Sequence, residues 1–164
     1  MDEAARHAYP DDALLPDTEI NGYTIRKVLG RGAFGITYLA EETKLQGLVA
    51  IKEYLPRDLA TRGGDGATVL PHTQDEQDLF GYGLKQFLTE AQTLALLDHP
   101  NIVRVRHFFE ANRSAYLVMD YEPGKNLGRY IKKRHGGLST NFLMTVFPPL
   151  LDALELIHAT NNLH

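Results

Sequence analysis

The apolar positions of this chain change period along its length, and the changes outline its elements. The first stretches read as strands: Tyr23-Thr24-Ile25-Arg26-Lys27-Val28-Leu29, then Ile36-Thr37-Tyr38-Leu39-Ala40, then Leu48-Val49-Ala50-Ile51, all rich in β-branched and aromatic residues. A glycine-rich turn separates the first two, and a polar turn over 41–47 separates the next. Over 84–97 the period becomes helical, with Leu84, Phe87, Leu88, Ala91, Leu94 and Ala95 on one stripe. Asp98-His99-Pro100-Asn101 ends that helix because proline cannot continue it, and His99 reads as a turn residue. Residues 103–110 and 115–121 predict a hairpin around Ala111-Asn112-Arg113-Ser114. The inventory is α+β: a five-stranded antiparallel sheet with one helix.

Three further stretches complete the organisation. Residues 1–20 are acidic and proline-punctuated, without the basic start and apolar core of a secretion signal, and read as a flexible, solvated leader. Residues 56–83, with Pro56, Gly63-Gly64-Asp65-Gly66, Pro71 and the acidic run Asp75-Glu76-Gln77-Asp78, break the periodicity and read as a long polar insertion on the surface. The sheet-bearing part is therefore 21–121. Beyond it, 122–164 begins with Glu122-Pro123-Gly124 and continues into a short helix over 126–134, which Asn126 caps and which Lys132, Lys133 and Arg134 close. A second helix from Ser139 carries Leu150, Leu151, Leu154 and Ile157, with Pro148-Pro149 expected to kink or restart it.

The candidate chemistry lies in the first hairpin. Gly30, Gly32 and Gly35 form G-x-G-x-x-G, a spacing that dinucleotide-binding folds also use, but there a helix opens at the third glycine. Here a strand follows, so a Rossmann reading fails if 36–40 is extended. A hairpin tip with three glycines brings bare backbone N–H groups close to a ligand and suits a row of phosphate oxygens. Strand alternation puts Ala50 and Lys52 on one face and turns Val49 and Ile51 to the core, which makes a slot for a flat ring beside a phosphate. Glu90 sits at the edge of the helical stripe, on the side of Phe87, Leu94 and Leu97. A partly buried carboxylate there needs an opposite charge, and Lys52 is the natural partner.

The run LGRGAFGITYLA followed by VAIK resembles the glycine-rich loop and third strand of the protein kinases, and FLTEAQTLALLDHPNIV is similar to their first helix and its exit. The long segment after the third strand, together with Ile51-Lys52-Glu53-Tyr54, resembles a group of bacterial serine/threonine kinases. The resemblance runs from about Leu15 to His164.

It implies that ATP is held by Leu29, Gly30, Arg31, Gly32, Ala33, Phe34, Gly35, Thr37, Ala50 and Lys52, with Glu90 positioning Lys52 as the catalytic pair. Thr37 stands where kinases usually have Val. In Tyr116-Leu117-Val118-Met119-Asp120-Tyr121-Glu122-Pro123-Gly124, which looks like the kinase hinge, Met119 would guard the adenine pocket. The main chain of Asp120 and Glu122 would hydrogen-bond the adenine edge. His164 would open the His-Arg-Asp catalytic loop. The expectation is thus an amino-terminal lobe, hinge and first helices, cut before the catalytic loop and Asp-Phe-Gly, with Mg²⁺ ligands lying further along and no phosphotransfer by this segment alone. The alternative is a natural short form acting as a pseudokinase-like binding or regulatory module.

Composition narrows the partners. Seventeen Lys and Arg against twenty-one Asp and Glu give a net charge of −4, with no basic footprint for nucleic acid and no polybasic membrane motif. The absence of Cys fits a reducing, cytoplasmic setting, and no run of eighteen apolar residues predicts a membrane span. The expected partners are ATP and, for the parent, a protein substrate. Self-association through the apolar face of the last helix is also expected.

Overall fold

The computed structural model describes residues 9–133 and 137–159. Among the described residues, eight strands, β1 (Glu19–Ile20), β2 (Tyr23–Arg31), β3 (Gly35–Glu42), β4 (Leu48–Tyr54), β5 (Ala60–Arg62), β6 (Val69–Pro71), β7 (Val105–Ala111) and β8 (Ser114–Asp120), accompany three helices, α1 (Gln77–Leu94), α2 (Leu127–Lys132) and α3 (Thr140–Ala159). The main sheet has the order β1-β2-β3-β4-β8-β7, and its neighbours pair antiparallel. This is the expected five-stranded sheet with the short β1 added at its edge. The chain divides into two compact units, one holding residues up to 96 with 105–121, the other holding 97–104 with the residues from 122 onward.

In the first unit, alternation along β4 buries Val49, Ile51 and Glu53 on one face of the sheet and turns Ala50, Lys52 and Tyr54 to the other. Ile25, Ile36, Tyr38, Tyr116 and Val118 join Val49 and Ile51 in the core. The β7–β8 turn is closed by Asn112 and Arg113 at φ 53° and 57°, the left-handed geometry that a tight hairpin matching the strand twist requires.

Glu53 is wholly buried, and every acceptor position of its carboxylate is used. Arg62 donates to Oε1 at 2.7 Å and to Oε2 at 2.6 Å; the Tyr116 hydroxyl donates to Oε1 at 2.6 Å and the Tyr38 hydroxyl to Oε2 at 2.7 Å. Burial, with the nearby Glu53 charge, pushes both phenols far above their ordinary pKa, so they remain donors. Arg62 in turn donates to the carbonyls of Asp12 and Ala67.

These bonds correct two expectations. The 56–83 stretch is not merely a polar insertion on the surface: β5 and β6 pair as a hairpin, and Val69 N donates to Asn112 O of the β7–β8 turn at 2.8 Å. Asp65 ties the hairpin tip by accepting from the Ala67 and Thr68 amides and the Thr68 hydroxyl, which lowers its pKa to about 2. Nor is the leader solvated from residue 9 onward. Leu14 and Ala13 are buried, Leu14 N donates to the Tyr38 hydroxyl at 3.1 Å, and Glu19–Ile20 add to the sheet as β1. Residues 1–8 of that leader lie outside the described residues.

Helix α1 begins at Gln77, seven residues before the apolar stripe predicts. Just before it the Thr73 hydroxyl accepts from Glu76 N and donates to the Glu76 carboxylate, so Asp75 and Glu76 precede the helix while Gln77 and Asp78 open it. Phe80 extends the buried stripe of Phe87 and Ala91 by two turns. The Tyr54 ring packs against Phe80 and Phe87 at 5.2 and 5.6 Å between centroids and seats the helix on the β4 end. A Cβ on Gly83 would fall 2.1 Å from the Tyr54 hydroxyl oxygen, so glycine is needed where helix and ring meet.

In the second unit, Asn126 caps α2 as expected, accepting from Arg129 N at 2.7 Å. The described α2 ends at Lys132, and Arg134 lies outside the described residues. Helix α3 runs without interruption through Pro148 and Pro149. His99 serves the turn: its Nδ1 accepts from Asn101 N, which leaves Nε2 to donate to Asp152 of α3 at 2.9 Å. Helix α3 has the length and mean hydropathy (1.4) of a membrane span, yet it carries Asp152 and Glu155 within it. Leu163 and His164 lie outside the described residues.

The Glu53 cluster sets a stability test. Arg62→Met leaves a buried carboxylate without its cation and should cost about 3–5 kcal/mol. Adding Glu53→Gln, an uncharged acceptor for the two tyrosines, should recover part of that loss in denaturant titrations. A double variant as unstable as Arg62→Met alone would show that charge burial is not the origin of the cost.

Candidate functional site

The glycine-rich turn joins β2 to β3, and its tip is bound to the chain that leaves β4. Gly32 N donates to Gly35 O at 2.9 Å, Leu55 N to Phe34 O at 3.0 Å and Arg57 N to Ala33 O at 3.2 Å. The Phe34 side chain remains exposed at this tip. Arg31, at the end of β2, forms a two-point ion pair with Asp12. Burial and the neighbouring Arg57 and Arg62 charges lower its pKa without threatening its charge.

Register gathers the next group. Thr37 lies opposite Lys52, and Ala50 lies opposite Met119. Directly paired residues share a face, so Thr37, Ala50, Lys52 and Met119 occupy one surface of the sheet, opposite the Glu53 cluster. Ala50 is buried, and Thr37, Lys52 and Met119 are partly so. Leu29 is exposed on β2 beside Gly30. Asp120 closes β8, where its carboxylate accepts from Arg106 Nε at 2.6 Å. Glu122 falls in the second unit and is exposed.

A cavity of about 500 Å³ opens beneath the tip of the glycine turn within the first unit. Ala33 and Phe34 roof it, Lys52 and Tyr54 come from β4, and Phe87 and Glu90 come from α1. The two residues that sequence reasoning pairs, Lys52 and Glu90, thus share one chamber. Among the described residues, however, no ion pair joins them. The Lys52 ammonium instead lies over the Phe87 ring, 5.6 Å from its centroid. Because Tyr54 packs on Phe87, the ring of that residue, one turn before Glu90, is held beside the lysine.

Three residues with a hand in this geometry were not singled out from sequence. Glu53 and Tyr54 follow Lys52 directly, and Asp12 lies in the stretch read as leader. An acidic residue on the core side of the alternation Val49, Ile51, Glu53 was the available signal for a buried charge in need of a partner.

The comparisons with known proteins agree with this geometry. The protein kinase domain family matches residues 23–164. Serine/threonine-protein kinase B of Synechocystis is 28% identical over 149 residues, covering 88% of this chain and 23% of the relative. Aurora kinase C of Mus musculus is 30% identical over 145 residues, covering 88% of this chain and 45% of the relative. Among solved structures, the apo form of PpkA-294 superposes with a TM-score of 0.87 at 30% identity, over 94% of this chain and 54% of that one. The chain therefore spans less than half the length of these two curated relatives and about half of that structure. With that match running from β2 onward through the glycine turn, Lys52 and α1, the chain belongs to the protein kinase domain family.

Proposed function

We propose that this chain is the ATP-holding portion of a bacterial serine/threonine protein kinase, with Lys52 as the phosphate-binding cation and Glu90 as its positioning acid. The observation that carries the reading is that the glycine turn, Lys52 and Glu90 enclose one chamber. Bound ATP would supply the γ-phosphoryl group that the parent enzyme passes to protein hydroxyls.

The glycines fit that ligand unequally. A Cβ on Gly30 or Gly32 would meet nothing within 4 Å, so packing inside the chain does not demand glycine at either place. Close approach of a phosphate to the backbone does explain them. Gly35 is different, since a Cβ there would lie 1.8 Å from Glu53 O. Its absence of a side chain serves the β3–β4 contact. Thr37, Ala50 and Met119, sharing the Lys52 face, are the residues that would take the adenine ring, with the main chain of Asp120 and Glu122 at its edge. The Asp120 side chain is already committed to Arg106, which leaves its backbone for that role. His-Arg-Asp and Asp-Phe-Gly, which orient the accepting hydroxyl and hold Mg²⁺ in the family, do not occur in the 164 residues.

Three outcomes test it. Lys52→Met removes a charge-assisted contact worth about 1.5–3 kcal/mol, so ATP affinity measured by calorimetry should fall roughly 10- to 100-fold. The melting transition should change little, because only a cation–π contact of about 1 kcal/mol is lost. Equal damage to fold and binding would contradict the assignment. Gly35→Ala should destabilise the fold by about 3 kcal/mol, whereas Gly30→Ala should leave stability within about 1 kcal/mol and weaken nucleotide binding. Finally, Leu150, Leu151 and Leu154 are exposed on α3, and the isolated chain is expected to self-associate in light scattering. A monodisperse monomer would show that face to be covered.

A further inference from the structure

We propose that Asp12 is a positioning residue for the glycine turn, and that the segment before β1 and the chain leaving β4 together hold the lid in place over Lys52. Four contacts make the case. The Asp12 carboxylate grips the Arg31 guanidinium from a half-buried site, the two side chains being 21% and 17% exposed. Asp12 is itself fixed: its carbonyl accepts from Arg62 Nε at 2.9 Å, and two residues on, Leu14 N donates to the Tyr38 hydroxyl. Arg62 and Tyr38 both end on the buried Glu53 carboxylate. A continuous set of hydrogen bonds therefore runs from the interior of β4, through Arg62 and Asp12, to the root of the lid at Arg31.

The tip is tied separately, by Leu55 N to Phe34 O and Arg57 N to Ala33 O. Both tethers depend on Arg31 staying where it is, and its surroundings oppose that. Burial, and then the nearby Arg57 and Arg62 charges, lower the pKa of Arg31, and Arg31 Nε is buried without a hydrogen-bond partner among the described residues. Arg62 is neutralised by Glu53, and Arg57 makes no ion pair among the described residues. Asp12 is the anion that balances Arg31. Without it the root of the lid carries an unpaired guanidinium facing two others, and like-charge repulsion moves it away from the chain that anchors the tip. A lid already seated over Lys52 spends less conformational entropy when phosphate arrives.

The functional arm rests on the ATP-holding reading, and the structural arm does not. In the full chain, Asp12→Asn should raise amide hydrogen exchange at Leu55 and Arg57 at least fivefold, while core amides such as Ile36 and Ile51 exchange as before. Asp12→Glu, which keeps the charge, should restore most of the protection. Adenosine nucleotide affinity should fall three- to tenfold in Asp12→Asn and recover in Asp12→Glu. Unchanged exchange at Leu55 and Arg57, or a rise shared by every amide, would overturn the proposal. Faster lid exchange with unaltered nucleotide affinity would overturn the positioning role. If the unsubstituted chain binds no adenosine nucleotide, the functional reading fails, and the exchange data alone decide whether Asp12 holds the lid.

Discussion

A carboxylate with no access to water has to be satisfied completely or not carried at all, and Glu53 shows what that demands of the surrounding chain. Its four hydrogen bonds come from three elements far apart in sequence: Tyr38 on β3, Arg62 on β5 and Tyr116 on β8. None of these donors could be absent without leaving a desolvated charge short of a partner, a deficit of several kcal/mol. The requirement reaches further through Arg62, whose remaining N–H groups collect the carbonyls of Asp12 and Ala67. One buried anion thus explains why both the chain before β1 and the chain after β4 are folded onto the sheet.

The same strand carries Lys52. Glu53 and Lys52 are adjacent, so the pleat sends them to opposite faces, one to a sealed polar cluster and the other to an open chamber. Tyr54 returns to the Lys52 side and seats α1 through Phe80 and Phe87. Three consecutive residues therefore anchor the β5–β6 hairpin, place an ammonium at the chamber and seat the helix that brings Glu90 to it. A slip of one residue in β4 would exchange the faces, burying Lys52 without an anion and exposing Glu53. The register of β4 against β3 and β8 is defended from both sides.

What could be read in advance followed periodicity and local chemistry. The strands from β2 to β4, the β7–β8 hairpin and the core of α1 were legible because each is an apolar pattern of period two or near 3.6. The turn between β2 and β3 and the face that Lys52 takes were legible because glycine spacing and strand alternation dictate them. The β5–β6 hairpin was not: its strands are three residues long, and only Ala60 and Val69 are buried, too few positions to register a period. Its order comes from Arg62, a side chain whose partner could not be named without the fold. The early start of α1 was masked by the polarity of the acidic run. Likewise Asp12 and Leu14 looked like solvated leader because their contacts are with Arg31, Arg62 and Tyr38, all distant in sequence.

The partner that Lys52 takes shows why sequence can place two groups in a site without placing the contact between them. An ammonium over an aromatic face gains about 0.5–2 kcal/mol depending on its desolvation, and an ion pair with a partly solvated carboxylate gains about 0–1 kcal/mol. The two options are nearly equal, so the packing of the helix decides between them. Tyr54 fixes Phe87 by ring contact, and Phe87 then offers its face to the lysine before Glu90, one turn later, can reach it. A phosphate in the chamber would change that balance, since the ammonium then makes charge-assisted bonds stronger than either alternative. Glu90 already lines the same chamber and needs no new fold to meet the lysine there. The face of β4 and the stripe of α1 thus place both charges at one cavity without fixing the contact between them.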